Sequence, residues 1–522
     1  MIEAPQPLFA DLLRLNARWR ASRPAITVGA TQLSWAAFDA RTEKVANALI
    51  DMGLGPKDCV AVLMANSLEW VELMGGAIKA GVCIAPLNLS VSDEAIERMI
   101  VDSGAVAVFA SASQQARIDA LRSRLAAIPA QGYIAVGAGP QWVDFAAWRD
   151  RAAALARAVG PSADDPFNII YSSGTTGLPK GIVHSHRRRL QWAYDVGMAL
   201  RFHSGAVTLC PVGLFSNISM GALLFTLLAG GQLVVMEQFE PLAFIEAVER
   251  HQCTHVIMVP LQFQKVFEHA AFESRRLRSM QMMCTVGSPM HPDLKARIAA
   301  TVSADLIELY GLTEGIITTL DPEDVHTKTA SVGKPVPGTD IRIINEQGQV
   351  LPCGECGEIV GWSRFVMSGY HGRPEATEEA LWWDEKGKPW LRTGDMGRLD
   401  EEGFLYIVDR KKDMILSGGQ NIYPADIEAV LKTHPLVFDC AVIGIPDPKW
   451  GETPLALVMV RPEQTPVAAA ALRQWVNERL GKQQRIAALE FREDLPRNPT
   501  GKLLKRELRE PYWRTVKSSF FG

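Results

Sequence analysis

Tyr171-Ser-Ser-Gly-Thr-Thr-Gly-Leu-Pro-Lys-Gly181 directly follows an apolar run at residues 167–170. Glycines at 174, 177 and 181 permit a tight turn whose backbone N–H groups converge. Ser172, Ser173, Thr175 and Thr176 add hydroxyl donors, and Lys180 adds a full positive charge. A strand that runs into such a turn makes a cradle for phosphate. The spacing is not that of the common P-loop, G-x-x-x-x-G-K-[ST], because Gly174 and Gly177 stand too close together and Lys180 follows a proline. A flexible linker explains the glycines but not the density of donors or the lysine.

The strand before this turn is one of a series. Apolar runs at 59–64, 105–109, 167–171, 206–209, 233–236, 256–259 and 306–309 alternate with amphipathic stretches such as 242–249. That alternation predicts α/β layers with mostly parallel sheets. The most apolar stretch, 220–236, is too short for a bilayer span and is broken by Gly230-Gly231, so it reads as a buried helix followed by a buried strand. Residues 152–158 read as an alanine-rich helix. From 333 to 361 the texture changes to short strands punctuated by Gly and Pro, a small β-rich subdomain. A charged turn at 409–413 precedes a last segment with its own strands at 439–445 and 455–460. The division expected is a large N-terminal domain, 1–411, and a small α+β domain, 412–522.

A chain of 522 residues, 48% of them hydrophobic, exceeds one ordinary core. With 54 basic against 58 acidic residues the net charge is −4, which supplies no general field for nucleic acid or an anionic membrane. Eight scattered cysteines suit a reducing cytoplasm. Cys353-Gly-Glu-Cys356 has redox or zinc spacing, but without a second pair it reads as a turn between strands. The first fifteen residues lack the basic start and apolar block of a signal peptide, so no export and no integral membrane segment is expected.

Four further motifs follow in order: Tyr310-Gly-Leu-Thr-Glu314, Thr393-Gly-Asp395, Asp409-Arg-Lys-Lys-Asp413 running into Ser417-Gly-Gly-Gln420, and Pro496-Arg-Asn-Pro-Thr-Gly-Lys502. With the phosphate turn, and with Ala85-Pro-Leu-Asn88 upstream, this set resembles the adenylate-forming superfamily, which includes acyl-CoA synthetases, luciferases and the adenylation domains of peptide synthetases. The resemblance covers nearly the whole chain.

It implies a role for each position. Ser172, Ser173, Gly174, Thr175, Thr176, Gly177 and Lys180 would hold the β- and γ-phosphates of ATP. Thr313 would bond the α-phosphate, and Glu314 would hold Mg²⁺ together with water and phosphate oxygens. Tyr310, beside Gly311, would stack on adenine, with the backbone of Gly287, Ser288 and Pro289 along its edge; otherwise Tyr310 is a strand-end core aromatic. Asp395 and Arg410 would take the ribose hydroxyls, unless Asp395 pairs with neighbouring Arg392 or Arg398. Lys502 would bridge the substrate carboxylate and the α-phosphate. Lys412 matches the hinge about which the small domain swings, after which Gly418 and Gly419 would line the tunnel for CoA. Trp450 is a stacking surface for the CoA adenine or an ordinary half-buried tryptophan.

The chain also departs from the family. A histidine common after a proline is missing from Pro211-Val-Gly-Leu-Phe-Ser-Asn217, where Leu214 or Phe215 stands, and no aspartate near Ser216 awaits a substrate ammonium. An amino-acid substrate is therefore disfavoured. Gln483-Gln-Arg485 lacks the lysine and proline that relatives often carry. His184, His186 and Arg187 to Arg189 read as a solvated helix start or as contacts to a CoA phosphate. The acid pocket is expected to draw on Phe215, Asn217, Met220, Val286, Met290 and Ile316. Asn217 either meets a polar group on the substrate or caps the helix beginning near Ile218.

The reading is an AMP-forming acid:CoA ligase for an apolar acid (medium-chain, cyclic or aromatic), with ATP, Mg²⁺ and CoA, in the cytoplasm; a homodimer stays open. A stand-alone enzyme loading a carrier protein is the alternative. Intact Thr313, Glu314, Asp395, Arg410 and Lys502 argue against a non-catalytic binding protein, and luciferase-type oxidation shares every motif.

Overall fold

The computed structural model describes residues 6–155, 160–172, 180–417, 420–461, 468–482, 484–497 and 503–519. The chain forms two compact units. The first comprises Met1–Thr329, Gly333–Asp340 and Trp362–Leu391; the second comprises Ala330–Val332, Ile341–Gly361 and Arg392–Gly522.

Two large sheets build the first unit, as the alternating pattern requires. In a nine-stranded sheet, Val207–Cys210, Gln232–Val235, His255–Met258, Met282–Val286 and Asp305–Gly311 run parallel as neighbours, and Ile317–Leu320 adds antiparallel beside Asp305–Gly311. In an eight-stranded sheet, Cys59–Leu63, Cys83–Pro86, Ala105–Ser111 and Pro166–Ser172 are parallel, and Lys180–Ser185 turns back antiparallel on Pro166–Ser172. Strands buried on both faces have no polar side to alternate, which is why they read as continuous apolar runs.

Helices Trp35–Asp51, Leu68–Ala80 and Asn217–Ala229 fill a core shared with strands of both sheets; Trp35, Trp70 and Phe225 are almost fully buried there. Gly76 lets two of these helices approach closely, since a Cβ there would lie 2.2 Å from Val45 Cγ1. Serine caps start the helices: the Oγ atoms of Ser34 and Ser67 accept from Ala37 N and Trp70 N at 3.2 Å each. The stretch 220–236 behaves as expected. Its helix closes at Gly230, with φ +73°, and Gln232–Val235 follows as a buried strand. Among the described residues no helix is long and apolar enough to cross a membrane.

Two charges buried in this core, Glu72 and Lys79, are paired. Glu72, with no exposed side-chain surface, receives Arg41 and Arg149 at 2.6 Å each, and Lys79 meets Asp39 at 2.5 Å and Glu43 at 3.0 Å.

The alanine-rich helix does not extend over residues 152–155. Helix Phe145–Asp150 ends first, and Asn47 Nδ2 takes the carbonyls of Ala153 and Leu155 at 2.6 and 2.8 Å, so they are bonded to a distant side chain rather than to a next helical turn. Residues 156–158 lie outside the described residues.

In the second unit, Val437–Asp447 and Gly451–Val460 form a long hairpin inside a five-stranded sheet, packed by Pro424–Lys432 and Ala469–Asn477 around Ile427, Val442, Val458 and Val476. Cys353 and Cys356 are exposed thiols in a turn between Thr339–Ile344 and Gly357–Ser363, as the sequence suggested. Residues 411 and 412, the proposed boundary, fall within this unit.

Candidate active site

In the first unit the nominated residues collect just beyond the carboxyl ends of parallel strands, where open α/β sheets bind ligands. Phe215 and Asn217 follow Val207–Cys210. Gly287, Ser288 and Pro289 follow Met282–Val286, and Tyr310 and Gly311 close Asp305–Gly311. Val286 pairs with Leu309 in register, so the Gly287 turn and Tyr310 lie side by side. Gly287 has φ +96°, a conformation natural to glycine. Met290 N donates to Glu308 Oε1 at 3.1 Å, and Lys295 pairs with Glu308, which anchors the segment after Pro289.

Thr313 and Glu314 occupy a turn held by main chain. Leu312 N and Gly315 N bond Ile316 O and Leu312 O at 3.1 Å each. Met367 N donates to Glu314 O at 2.7 Å, and Ser363 Oγ donates to Gly315 O at 2.6 Å. Gly315, at φ +118°, admits this approach; a Cβ would lie 2.7 Å from Val366 Cα. The Tyr370 hydroxyl donates to Glu314 Oε1 at 3.1 Å, and the Lys180 Nζ lies 4.8 Å from the centre of the Tyr370 ring. Burial first, and the Glu314 carboxylate second, push the Tyr370 phenol above its ordinary range.

The phosphate turn itself begins and ends in register, Ser172 opposite Lys180. Ser173, Gly174, Thr175, Thr176 and Gly177 lie outside the described residues, as do Gly418, Gly419 and Lys502. At the turn's entry the Tyr171 hydroxyl donates to Asp102 Oδ2 at 2.8 Å, and Asp102 also meets Arg373 at 3.1 Å.

Three residues after the turn were read wrongly as a solvated helix start: His184, His186 and Arg189 are 2%, 1% and 1% exposed. His184 bonds the Thr313 backbone carbonyl, and burial, with Arg189 second, holds its imidazole well below the ordinary histidine range and hence neutral. Arg189 Nε donates to Asn168 Oδ1 at 2.7 Å, from the residue opposite His184 in the strand pair. Burial draws its guanidinium down to about 9, still protonated at neutral pH. The strand carrying Lys180 thus braces the turn carrying Thr313. Sequence reasoning missed this brace and Tyr370, because neither has a spacing that distinguishes it from an ordinary buried polar residue.

The acid-pocket candidates are distributed. Met220 belongs to the core between the sheets, with Val286 packed against it; Met290 belongs to a separate cluster with Phe244 and Phe263; Ile316 is fully buried. Asn217 does not cap its helix. Ser216 does, its Oγ accepting from Ile218 N at 3.1 Å, and Asn217 Oδ1 is buried with no hydrogen-bond partner.

In the second unit Asp395, 3% exposed, pairs with Arg410 at 2.8 Å across an antiparallel register. The alternative pairings do not occur: Arg392 meets Glu358 at 2.7 Å, and Arg398 lies over the Tyr406 ring. Lys412 is exposed in the following turn, and its carbonyl accepts from Arg509 Nη1 at 3.2 Å. Trp450 is 50% exposed, with Lys449 Nζ 4.6 Å from its ring centre.

No group of three or more His, Cys, Asp or Glu side chains able to hold a metal occurs among the described residues. A cation at Glu314 would therefore rely on one carboxylate plus substrate oxygens and water, which is the habit of Mg²⁺.

A glycine- and hydroxyl-rich turn at a strand end of one α/β sheet, with a glycine turn and the Thr313–Glu314 turn after strands of a second, suits a nucleotide-using enzyme. The chain belongs to the AMP-binding enzyme family, whose profile matches residues 13–371, with the AMP-binding enzyme C-terminal domain at 426–502. It is 34% identical over 494 residues to a long-chain-fatty-acid–CoA ligase of Mycobacterium tuberculosis, covering 93% of this chain and 94% of that protein. It is also 34% identical over 501 residues to a feruloyl-CoA synthase of Amycolatopsis, covering 95% and 97%. Among solved structures, o-succinylbenzoate CoA synthetase of Bacillus subtilis in complex with its acyl-adenylate superposes with a TM-score of 0.83 at 28% identity, covering 96% of this chain and 98% of that one.

Proposed function

We propose that the protein is an ATP-dependent, AMP-forming acid:CoA ligase acting on an apolar carboxylic acid: medium-chain, cyclic or aromatic. The observation that carries this reading is the Lys180, Tyr370 and Glu314 arrangement beside the Thr313 turn, within a chain of this family. A carboxylate is a poor electrophile because its leaving group is oxide; linking it to AMP supplies a good one. That step sets anion against anion, so the protein must bring cations and donors to the phosphates. Lys180 and the turn before it bind the β- and γ-phosphates, Thr313 and Lys502 serve the α-phosphate, and Asp395 with Arg410 orients the ribose. Glu314 would hold Mg²⁺, which when bound supplies charge neutralisation at the departing pyrophosphate. Rotation about Lys412 then exchanges Lys502 for the Gly418 and Gly419 loop, and the CoA sulfur bonds the acyl carbon as the acyl–phosphate C–O bond breaks, releasing AMP and the thiol proton. Pyrophosphate release over a panel of carboxylic acids, with and without CoA, tests the proposal: turnover must depend on CoA. A chain that releases one equivalent of pyrophosphate and turns over only with a carrier protein would overturn the CoA assignment.

A further inference from the structure

Tyr370 occupies a position that a structural tyrosine does not need. Its two-residue strand Gly369–Tyr370 adds antiparallel to Lys180–Ser185, pairing Tyr370 with Ile182, while Ser368 N and His371 N bond Val183 O and Gly181 O at 2.7 Å each. Its own N–H donates to Thr377 Oγ1 at 2.9 Å. The backbone is thus fixed without help from the side chain. The side chain instead spends both of its chemistries on charged residues: the hydroxyl donates to Glu314 Oε1 at 3.1 Å, and the Lys180 ammonium faces the ring at 4.8 Å. A carboxylate and an ammonium so close to one aromatic ring would, without it, be drawn into a direct ion pair. That pair would neutralise both.

We infer that Tyr370 is a positioning residue: it keeps the Glu314 carboxylate and the Lys180 ammonium apart and oriented, the first toward a divalent cation and the second toward phosphate. This rests on the roles proposed above for Lys180 and Glu314. The division of labour follows from chemistry, since the hydroxyl serves the acid and the ring serves the cation.

Binding of ATP and of Mn²⁺ to the ATP complex, measured by calorimetry and Mn²⁺ EPR without acid or CoA, separates the parts. Tyr370→Phe keeps the ring and loses the donor. It should weaken Mn²⁺ about three- to tenfold while leaving metal-free ATP affinity, the melting temperature and KM for the acid unchanged. Tyr370→Leu should weaken metal-free ATP binding as well. In a Glu314→Gln background, Tyr370→Phe should add no further loss of Mn²⁺. Should Tyr370→Phe fold poorly, Thr377→Val, which frees the Tyr370 N–H and spares the phenol, should weaken Mn²⁺ about twofold; no change there overturns the inference. Unaltered Mn²⁺ affinity in a folded Tyr370→Phe, or the same loss with Glu314 already replaced, also overturns it. If Glu314→Gln alone leaves Mn²⁺ affinity intact, the metal role of Glu314 fails instead.

Discussion

Replacing Asn217 with alanine should change which acids the enzyme prefers without weakening the fold. The loop before Asn217 is secured by other residues. Asn66 Oδ1 accepts from Leu214 N at 2.7 Å, Asn66 Nδ2 donates to Val212 O and Met236 O at 3.1 and 2.8 Å, and Ser219 Oγ donates to Gly213 O at 2.7 Å. The helix cap belongs to Ser216. Asn217 Oδ1, by contrast, is desolvated and unpaired, a state that costs about 1–3 kcal/mol in the free protein. Asn217→Ala removes that cost and installs a better helix former, so the melting temperature should hold or rise. An acid that presents a hydrogen-bond donor to Oδ1 recovers about 0.5–1.5 kcal/mol, and so should lose roughly two- to tenfold in kcat/KM on substitution, while fully apolar acids lose nothing. Pyrophosphate release across the acid panel, with thermal melts alongside, reads both effects. Ser216→Ala is the control, expected to cost about 0.5–2 kcal/mol with the ranking preserved. If Asn217→Ala lowers stability as Ser216→Ala does and leaves the ranking intact, the substrate contact is refuted.

Lys502→Ala should abolish acyl-adenylate formation yet leave thioester formation from supplied acyl-AMP, whereas Lys412→Pro should spare pyrophosphate exchange and block thioester turnover; single-turnover assays of each half-reaction check both. Asp409 is raised to about 6 by burial and secondarily by Glu428, against Lys505 and the N–H groups of Ala425 and Arg410, which lower it. Between about pH 4 and 6 the folded state keeps a proton that the unfolded state has lost, so this residue's contribution to stability falls as pH rises, by on the order of 3 kcal/mol. Denaturant titrations should accordingly show Asp409→Asn gaining on the parent across that window, and parallel pH profiles would refute it. Glu72→Ala should cost about 1–3 kcal/mol, since largely buried Arg149 is left with Asp150 alone while Arg41 can turn to solvent, read as a lowered urea midpoint.

The parallel strands were legible where they form apolar runs, such as Cys59–Leu63 and His255–Met258, and the turns because glycine, hydroxyl and charge recur in them at short spacing. What escaped was whatever depends on long-range contact. Residues 152–155 have helical composition, but Asn47, more than a hundred residues earlier, captures their carbonyls. Histidine and arginine after the phosphate turn look solvated by composition; strand pairing with Asn168 and a bond to Thr313 bury them. The cap at Ser216 missed Asn217 by one position, which periodicity cannot resolve. Tyr370 lies far in sequence from both charges it touches.

The turn carrying Thr313 and Glu314 is fastened almost wholly by peptide groups, from Met367 N to Gly315 O. Side chains of the neighbouring elements can therefore be exchanged by mutation while the Thr313–Glu314 turn keeps its coordinates. Heritable change in diet, so to speak, is uncoupled from loss of chemistry, and a lineage built on this turn can try new acids one substitution at a time.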